Sequence, residues 1–276
     1  DRKGPNKVGM VGILQPFSDA IKLFLKENIQ LIKGNFWFYY LSPILGFIVA
    51  SILLMNLSYE VNVFMIYYSL LFLLCCLNVL VYMILIAGWS SNSNYSLLGG
   101  VRSIVQSLSY EVSLFFIFLS LFIYCESFNL MMFLNFQVKV KLIMLNFPLF
   151  ILMYISILAD LNRIPFDLIE GESELVSGFN TEYMSGSFAL FFLAEYLFML
   201  ILSMWLTLMF LGVKMTSLVY ICFVLLFISS FIFVRGCLPR IRYDNLMNLC
   251  WYVILPLIMI IFYLLSVYKY YLFMFY

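Results

Sequence analysis

Apolar residues run along this chain in blocks separated by short polar stretches. Each block reaches the roughly 20 residues that a helix needs to cross the hydrocarbon of a bilayer. Seven such helices are predicted, at 36–56, 64–89, 102–124, 143–160, 186–211, 216–235 and 249–274. Seven crossings put the two termini on opposite sides. Residues 14–27 (LQPFSDAIKLFLKE) follow another pattern: Phe17, Ala20, Ile21, Phe24 and Leu25 share one helical face, and Asp19, Lys22 and Lys26 share the other. This segment is expected to lie along the membrane surface as an amphipathic helix, although a simple anchor would show the same pattern. The expected fold is therefore all-α, a polytopic membrane helix bundle. Residues 1–276 form a single transmembrane domain, with a surface segment at 1–35, an acidic loop at 160–185 and a basic loop at 235–248.

Composition strengthens this picture. Hydrophobic residues make up 65% and charged residues 11% of the 276, with mean hydropathy +1.07. A soluble domain is about a quarter charged, so lipid is the solvent for most of the chain. The bias towards Phe, Ile, Leu and Tyr, with few Ala, suggests an AT-rich, organellar coding sequence. Net charge is +1 and no basic stripe occurs, which excludes nucleic-acid binding. Cationic residues do show a sidedness. Arg2, Lys3, Lys7, Lys22, Lys26, Lys33, Arg102, Arg163, Arg235, Arg240 and Arg242 fall on the N-terminal side, against Lys139, Lys141, Lys214 and Lys269 opposite. The N-terminal side is therefore expected to face the cytoplasm or matrix.

Redox and metal chemistry of its own is not expected. The chain has no His, and its six Cys form no CxxC pair, so haem, zinc and iron–sulfur ligand sets are missing. No dinucleotide fingerprint or P-loop occurs. The informative residues are carboxylates within apolar helices. Glu111 follows Arg102 by nine residues, about 14 Å along a helix, and Glu195 is similarly deep in the fifth span. An ionised carboxylate at that depth costs about 3 kcal/mol or more, so it needs a partner, a proton or water. Arg102, Gln106, Ser107 and Glu111 give the third span a polar stripe. A buried pair that orients helices and a proton relay both account for it. The loop 160–185 holds Asp160, Asp167, Glu170, Glu172, Glu174 and Glu182 against Arg163 alone. A free solvated loop would not need the interleaved Ile164, Phe166, Leu168, Ile169, Leu175, Val176 and Phe179. Packing these crowds the acids, as suits the wall of a proton-coupled site. A proton-coupled secondary transporter is the alternative, although the chain lacks the paired Gly/Pro breaks and repeats of that class. A purely structural membrane subunit would have little use for so many acids.

Five segments carry a resemblance. RKGPNKVGMVGILQPFSDAIKLFLKE (2–27), GWSSNSNYSLLGGVRSIVQSLSYEV (88–112), DLNRIPFDLIEGESELVSGFNTEY (160–183), FALFFLAEY (188–196) and RGCLPRIRYDNLMNLCW (235–251) occur in order over nearly the whole chain. They resemble chain 1 of the NADH:ubiquinone oxidoreductase (complex I) family. That resemblance implies a subunit of the mitochondrial inner membrane with its N-terminus on the matrix side. In the family this subunit forms the membrane wall of the ubiquinone tunnel and the start of an acidic proton-coupling path. Carried over by motif, Glu111, Glu195 and Asp160 fall in the proton relay. Asp167, Glu170, Glu172, Glu174, Glu182 and Arg163 fall in the quinone-cavity loop. Arg2, Asp19 and Lys22 lie in the matrix segment beside the tunnel, and Arg235 and Asp244 on the matrix face. Asp160 stands where the family usually has Glu, one methylene longer.

The resemblance implies ubiquinone as substrate and no cofactor or metal bound by this chain, with NADH, FMN and iron–sulfur clusters held in partner subunits. Expected partners are the hydrophilic quinone-site subunits, small membrane-arm subunits and lipids. The resemblance begins after the family's first transmembrane helix, so a separate chain supplying that helix is a further expected partner.

Overall fold

The computed structural model describes residues 8–28, 34–56, 67–138, 140–169 and 171–275. Arg2 and Glu170 lie outside them, and the side chain of Glu172 is also not described. The secondary structure of the described residues is helical, without a strand. The surface helix α1 spans Gln15–Leu25. The bundle follows as α2 (Phe36–Met55), α3 (Ser69–Ser90), α4 (Asn94–Cys125), the short α5 (Leu130–Phe136) and α6 (Leu142–Leu145), and α7 (Phe147–Asp160). After the acidic loop, which contains the single turn α8 (Glu172–Leu175), come α9 (Ser185–Leu206), α10 (Leu218–Cys237), α11 (Tyr243–Asn248) and α12 (Leu255–Phe275). Wide π-turns at Thr207–Leu211 and Leu249–Ile254 prolong α9 and join α11 to α12.

Six of these helices are long and apolar enough to cross a membrane. The fourth expected span, 143–160, is shorter. Asn146 breaks it, and α7 keeps 14 residues, about 21 Å. The third span is longer than its pattern suggested. It starts at Asn94 rather than near Arg102, because the polar run 94–107 continues the helix instead of ending it. Glu111 is therefore 111 − 94 = 17 residues into a 32-residue helix, about 26 Å along it and close to its middle.

Helix α4 is the hub, packed against α3, α7 and α12. Its buried face carries Ser96, Gly99, Gly100, Ser103, Ser113 and Ser120 at helical spacing. Small residues let helix backbones approach closely where lipid offers no hydrophobic drive. The serines avoid an unpaired hydroxyl by donating to their own helix, as Ser103 does to the Gly100 carbonyl at 2.6 Å and Ser113 to that of Tyr110 at 2.7 Å. The π-turn at 207–211 is satisfied in the same spirit. Gln137 Nε2 donates to the Leu208 and Met209 carbonyls at 3.2 and 2.8 Å.

Cationic residues separate by end. Lys141 donates to the Gly212 carbonyl at 3.2 Å and Lys269 pairs with Glu126 at 2.7 Å at one end. Arg102, Arg163, Arg240 and the acidic loop gather at the other. One large apolar cluster runs through α3, α4, α7, α9, α10 and α12. A smaller one (Tyr39, Ala87, Ile169, Phe179, Tyr183 and Phe191) lies under the acidic loop. Phe166, Leu168, Ile169, Leu175 and Phe179 of that loop are buried, as their interleaving with the acids predicted. Ile164 is half-buried, and Val176 is exposed at φ 67°.

Candidate functional site

A cavity opens between the two apolar clusters. Leu77, Leu161 and Phe198 line it from the large cluster, and Ile84 and Phe191 from the small one. Its polar lining comprises Ser103, Ser107, Glu111, Asp160, Asn162 and Glu195. The three carboxylates singled out in the spans thus arrive at one cavity from α4, α7 and α9. Their positions follow from local structure. Glu111 lies one helical turn beyond Ser107, on the same face of α4. Asp160 is the last residue of α7. Glu195 is half-buried at the middle of α9. Three acids around one mostly apolar space cannot all stay ionised without water, a cation or a proton.

A second, more polar cavity adjoins the first. Arg163, Asp167 and Arg235 line it together with Asn162 and Glu195, so these last two residues face both spaces. Arg163 Nη2 stands 3.7 Å from Glu195 Oε2, and its guanidinium lies over the Tyr196 ring at 4.8 Å. Arg163 therefore holds the carboxylate that separates the cavities through charge and through a cation–π contact on the neighbouring residue.

The remaining loop residues are placed by side-chain anchors. Gln106, part of the polar stripe, does not line the cavity. It is fully buried and its Nε2 donates to the carbonyls of Ala159 at 2.8 Å and Phe166 at 2.9 Å. Its work is to tie the end of α7 and the start of the loop to α4. Glu174 points away from both cavities and pairs with Arg102 at 2.5 Å. That hydrogen bond holds the Glu174 carboxyl below the usual carboxylate range, with Arg240 and Arg242 adding to it. Glu182 takes part through its backbone carbonyl, which accepts the Tyr39 hydroxyl at 2.7 Å. Asp244 is exposed and faces Arg242 at 3.9 Å, at the acidic end but away from the cavities. Asp19 accepts a hydrogen bond from Gln15 at 3.0 Å on the exposed α1, which leans on α9. Lys22 is also exposed there.

Sequence reasoning missed Asn162 and Tyr183. Asn162 carries φ 51°, a conformation that Asn tolerates better than most residues, and its buried Oδ1 has no hydrogen-bond partner among the described residues. Among the described residues no cluster of His, Cys, Asp and Glu has the makings of a metal site.

The family model described as NADH dehydrogenase matches residues 1–266, spanning both cavities and both loops. The chain belongs to the NADH dehydrogenase family. Among its relatives, NADH-ubiquinone oxidoreductase chain 1 of Locusta migratoria is 51% identical over 257 residues, covering 93% of this chain and 82% of the locust protein. The protein of the same name from Anopheles gambiae is 50% identical over 258 residues, with the same coverage. That of Papio hamadryas is 44% identical over 263 residues, covering 93% and 83%. The NADH dehydrogenase chain described here is thus similar to chain 1 proteins of insects and a primate along nearly its full length.

Proposed function

We propose that this chain is the membrane subunit of a proton-translocating NADH:ubiquinone oxidoreductase, that it walls the ubiquinone site on the membrane side, and that it carries the first carboxylates of the proton-coupling path. It is a multi-pass helical membrane protein, and the proposed setting is the mitochondrial inner membrane with the acidic end and N-terminus towards the matrix. Electrons come from partner subunits that hold FMN and iron–sulfur clusters, and small membrane-arm subunits pack around the bundle. The observation that carries the reading is the meeting of Glu111, Asp160 and Glu195 in one cavity, with Glu195 also facing the polar cavity of Arg163, Asp167 and Arg235.

The mechanism follows from charge. Ubiquinone enters from the lipid with its tail along apolar helix surfaces and its head towards the 160–182 loop. Reduction and protonation of the head change the charge beside Asp167 and Arg163. Glu195 feels that change directly, because Arg163 is its ion-pair partner. A shift of the Arg163 charge alters the proton affinity of Glu195, and Glu111 and Asp160 share its cavity. Protonation changes at one carboxylate are then communicated to the other two.

Two measurements on the intact complex test the reading. A photoreactive ubiquinone analogue is expected to label 160–183 or 2–27, with competition by excess quinone. Label confined to partner subunits would remove the quinone site from this chain. Glu111→Gln is expected to leave NADH oxidation by an artificial acceptor intact and to lower proton-coupled quinone reduction. Unchanged coupling would take Glu111 out of the path.

A further inference from the structure

Gly171 begins the turn that carries two of the acids. Its carbonyl accepts the backbone N–H groups of Glu174 and Leu175, each at 2.9 Å, and so closes α8. Its φ is −41°, so the backbone does not ask for glycine there. Space does, because a Cβ built on Gly171 would fall inside the guanidinium of Arg240. Arg240, 69 residues later in the chain (240 − 171), occupies the volume that any other side chain at 171 would take. The neighbouring residue adds a second tie, since Ile241 N donates to the Pro165 carbonyl at 2.9 Å. On the far flank of the turn, Arg102 holds Glu174.

The Arg240 contact is unusual for an arginine. Its Nε and Nη2 are shielded from solvent and have no hydrogen-bond partner among the described residues. Its guanidinium plane acts on Gly171 by shape and by its field, which also reaches Glu174. A substituent at 171 or a loss of bulk at 240 changes the same space.

We propose that Arg240 is the positioning residue of the acidic loop: its guanidinium, seated on Gly171 between the Ile241–Pro165 and Arg102–Glu174 ties, fixes the 171–175 turn and thereby the placement of Glu174. The effect on quinone turnover rests on the proposed function, whereas the positioning itself does not.

The test uses the intact membrane complex with Arg240→Gln, Arg240→Lys and Gly171→Ala. Hydrogen exchange at the Glu174 and Leu175 amides reads the turn directly, and the KM and kcat for a short-chain ubiquinone read its consequence. Arg240→Gln and Gly171→Ala are each expected to speed exchange at least tenfold, and the double variant to add little to either. Arg240→Lys is expected to restore only part of the protection, because an ammonium cannot lie flat on the glycine. The same variants are expected to raise KM several-fold with a smaller change in kcat and with artificial-acceptor activity unchanged. Unaltered exchange in both Arg240→Gln and Gly171→Ala would overturn the positioning role. Faster exchange with unaltered quinone kinetics would uphold it and overturn instead the placement of this loop at the quinone site.

Discussion

The ring of Tyr183 lies stacked on that of Tyr39, with centroids 4.3 Å apart and 9° between the planes. Pro43 explains why Tyr183 is there. Proline lacks the N–H that would bond to the carbonyl four residues earlier, which is that of Tyr39 in α2. The Tyr183 hydroxyl donates to this freed carbonyl at 3.2 Å, and the Ser42 hydroxyl also donates to it, at 3.3 Å. In return, the Tyr39 hydroxyl donates to Glu182 at 2.7 Å. A defect in the helix has become the socket for the end of the acidic loop. Burial pushes the Tyr183 phenol up from its ordinary pKa, so it remains a neutral donor.

This pairing makes a coupled prediction. Tyr183→Phe removes the donor and should cost about 1–2 kcal/mol, lowering the thermal-inactivation midpoint of the complex by several degrees. In a Pro43→Ala background the alanine N–H satisfies the Tyr39 carbonyl, so the same change should cost markedly less. Equal shifts in both backgrounds would show that Tyr183 does not compensate for the proline.

The approach of the loop to α4 gives a second prediction. A Cβ on Gly99 would stand 2.8 Å from the Phe179 nitrogen and 3.1 Å from the Gly178 Cα. Both partners are backbone and cannot swing aside. Gly99→Ala should therefore displace the 178–180 turn, at about 1–3 kcal/mol, and weaken the packing of Phe179 against Phe191. Faster proteolysis within 176–184 is the expected readout. Wild-type resistance in Gly99→Ala would mean that the turn moves without penalty.

Much of this architecture was legible because lipid imposes a simple rule. Long apolar blocks must be helices, and α2, α3, α9, α10 and α12 fall close to their predicted ranges. The packed loop was legible too, since Phe166, Leu168 and Ile169 have no reason to alternate with acids unless they are buried. What could not be read is pairing across distance. Nothing local in Gln106 says that it bonds to Ala159 and Phe166, and nothing in Gly171 names Arg240. The start of α4 was misjudged for a related reason: its serines and glycines look like loop residues until α3 and the 178–180 turn are packed against them.

A third prediction concerns pH. Arg102 holds the Glu174 carboxyl below the usual range. A carboxyl depressed in the folded state contributes its full stabilisation above the unfolded pKa, about 4.3 for Glu, and loses it as pH falls through the lower folded value. The side chain is 44% exposed, so solvent screens the pair and the effect is small. The protection of the 171–175 amides, measured against the intrinsic exchange rate at each pH, should fall as the pH drops below about 4.3. Glu174→Gln should lose this acid-induced step and resemble the acid form at neutral pH. An identical acid response in both proteins would assign the step to another group.

The last prediction tests the residue between the cavities. Arg163 holds Glu195 at 3.7 Å and lies over Tyr196 at 4.8 Å. Arg163→Gln removes the cation that stands beside the half-buried Glu195 carboxylate and so changes the field between the two cavities. Ubiquinone reduction should fall by about tenfold or more, equivalent to at least 1.4 kcal/mol, with NADH oxidation by an artificial acceptor unchanged. Arg163→Lys keeps the charge without the planar fork and should fall in between. The decisive comparison is with Glu195→Gln. If Arg163 acts through Glu195, adding Arg163→Gln to that variant should lower turnover little further, because the interaction is already gone. Multiplicative losses in the double variant would show that Arg163 and Glu195 act separately, and that charge in the polar cavity reaches the acidic one by another route.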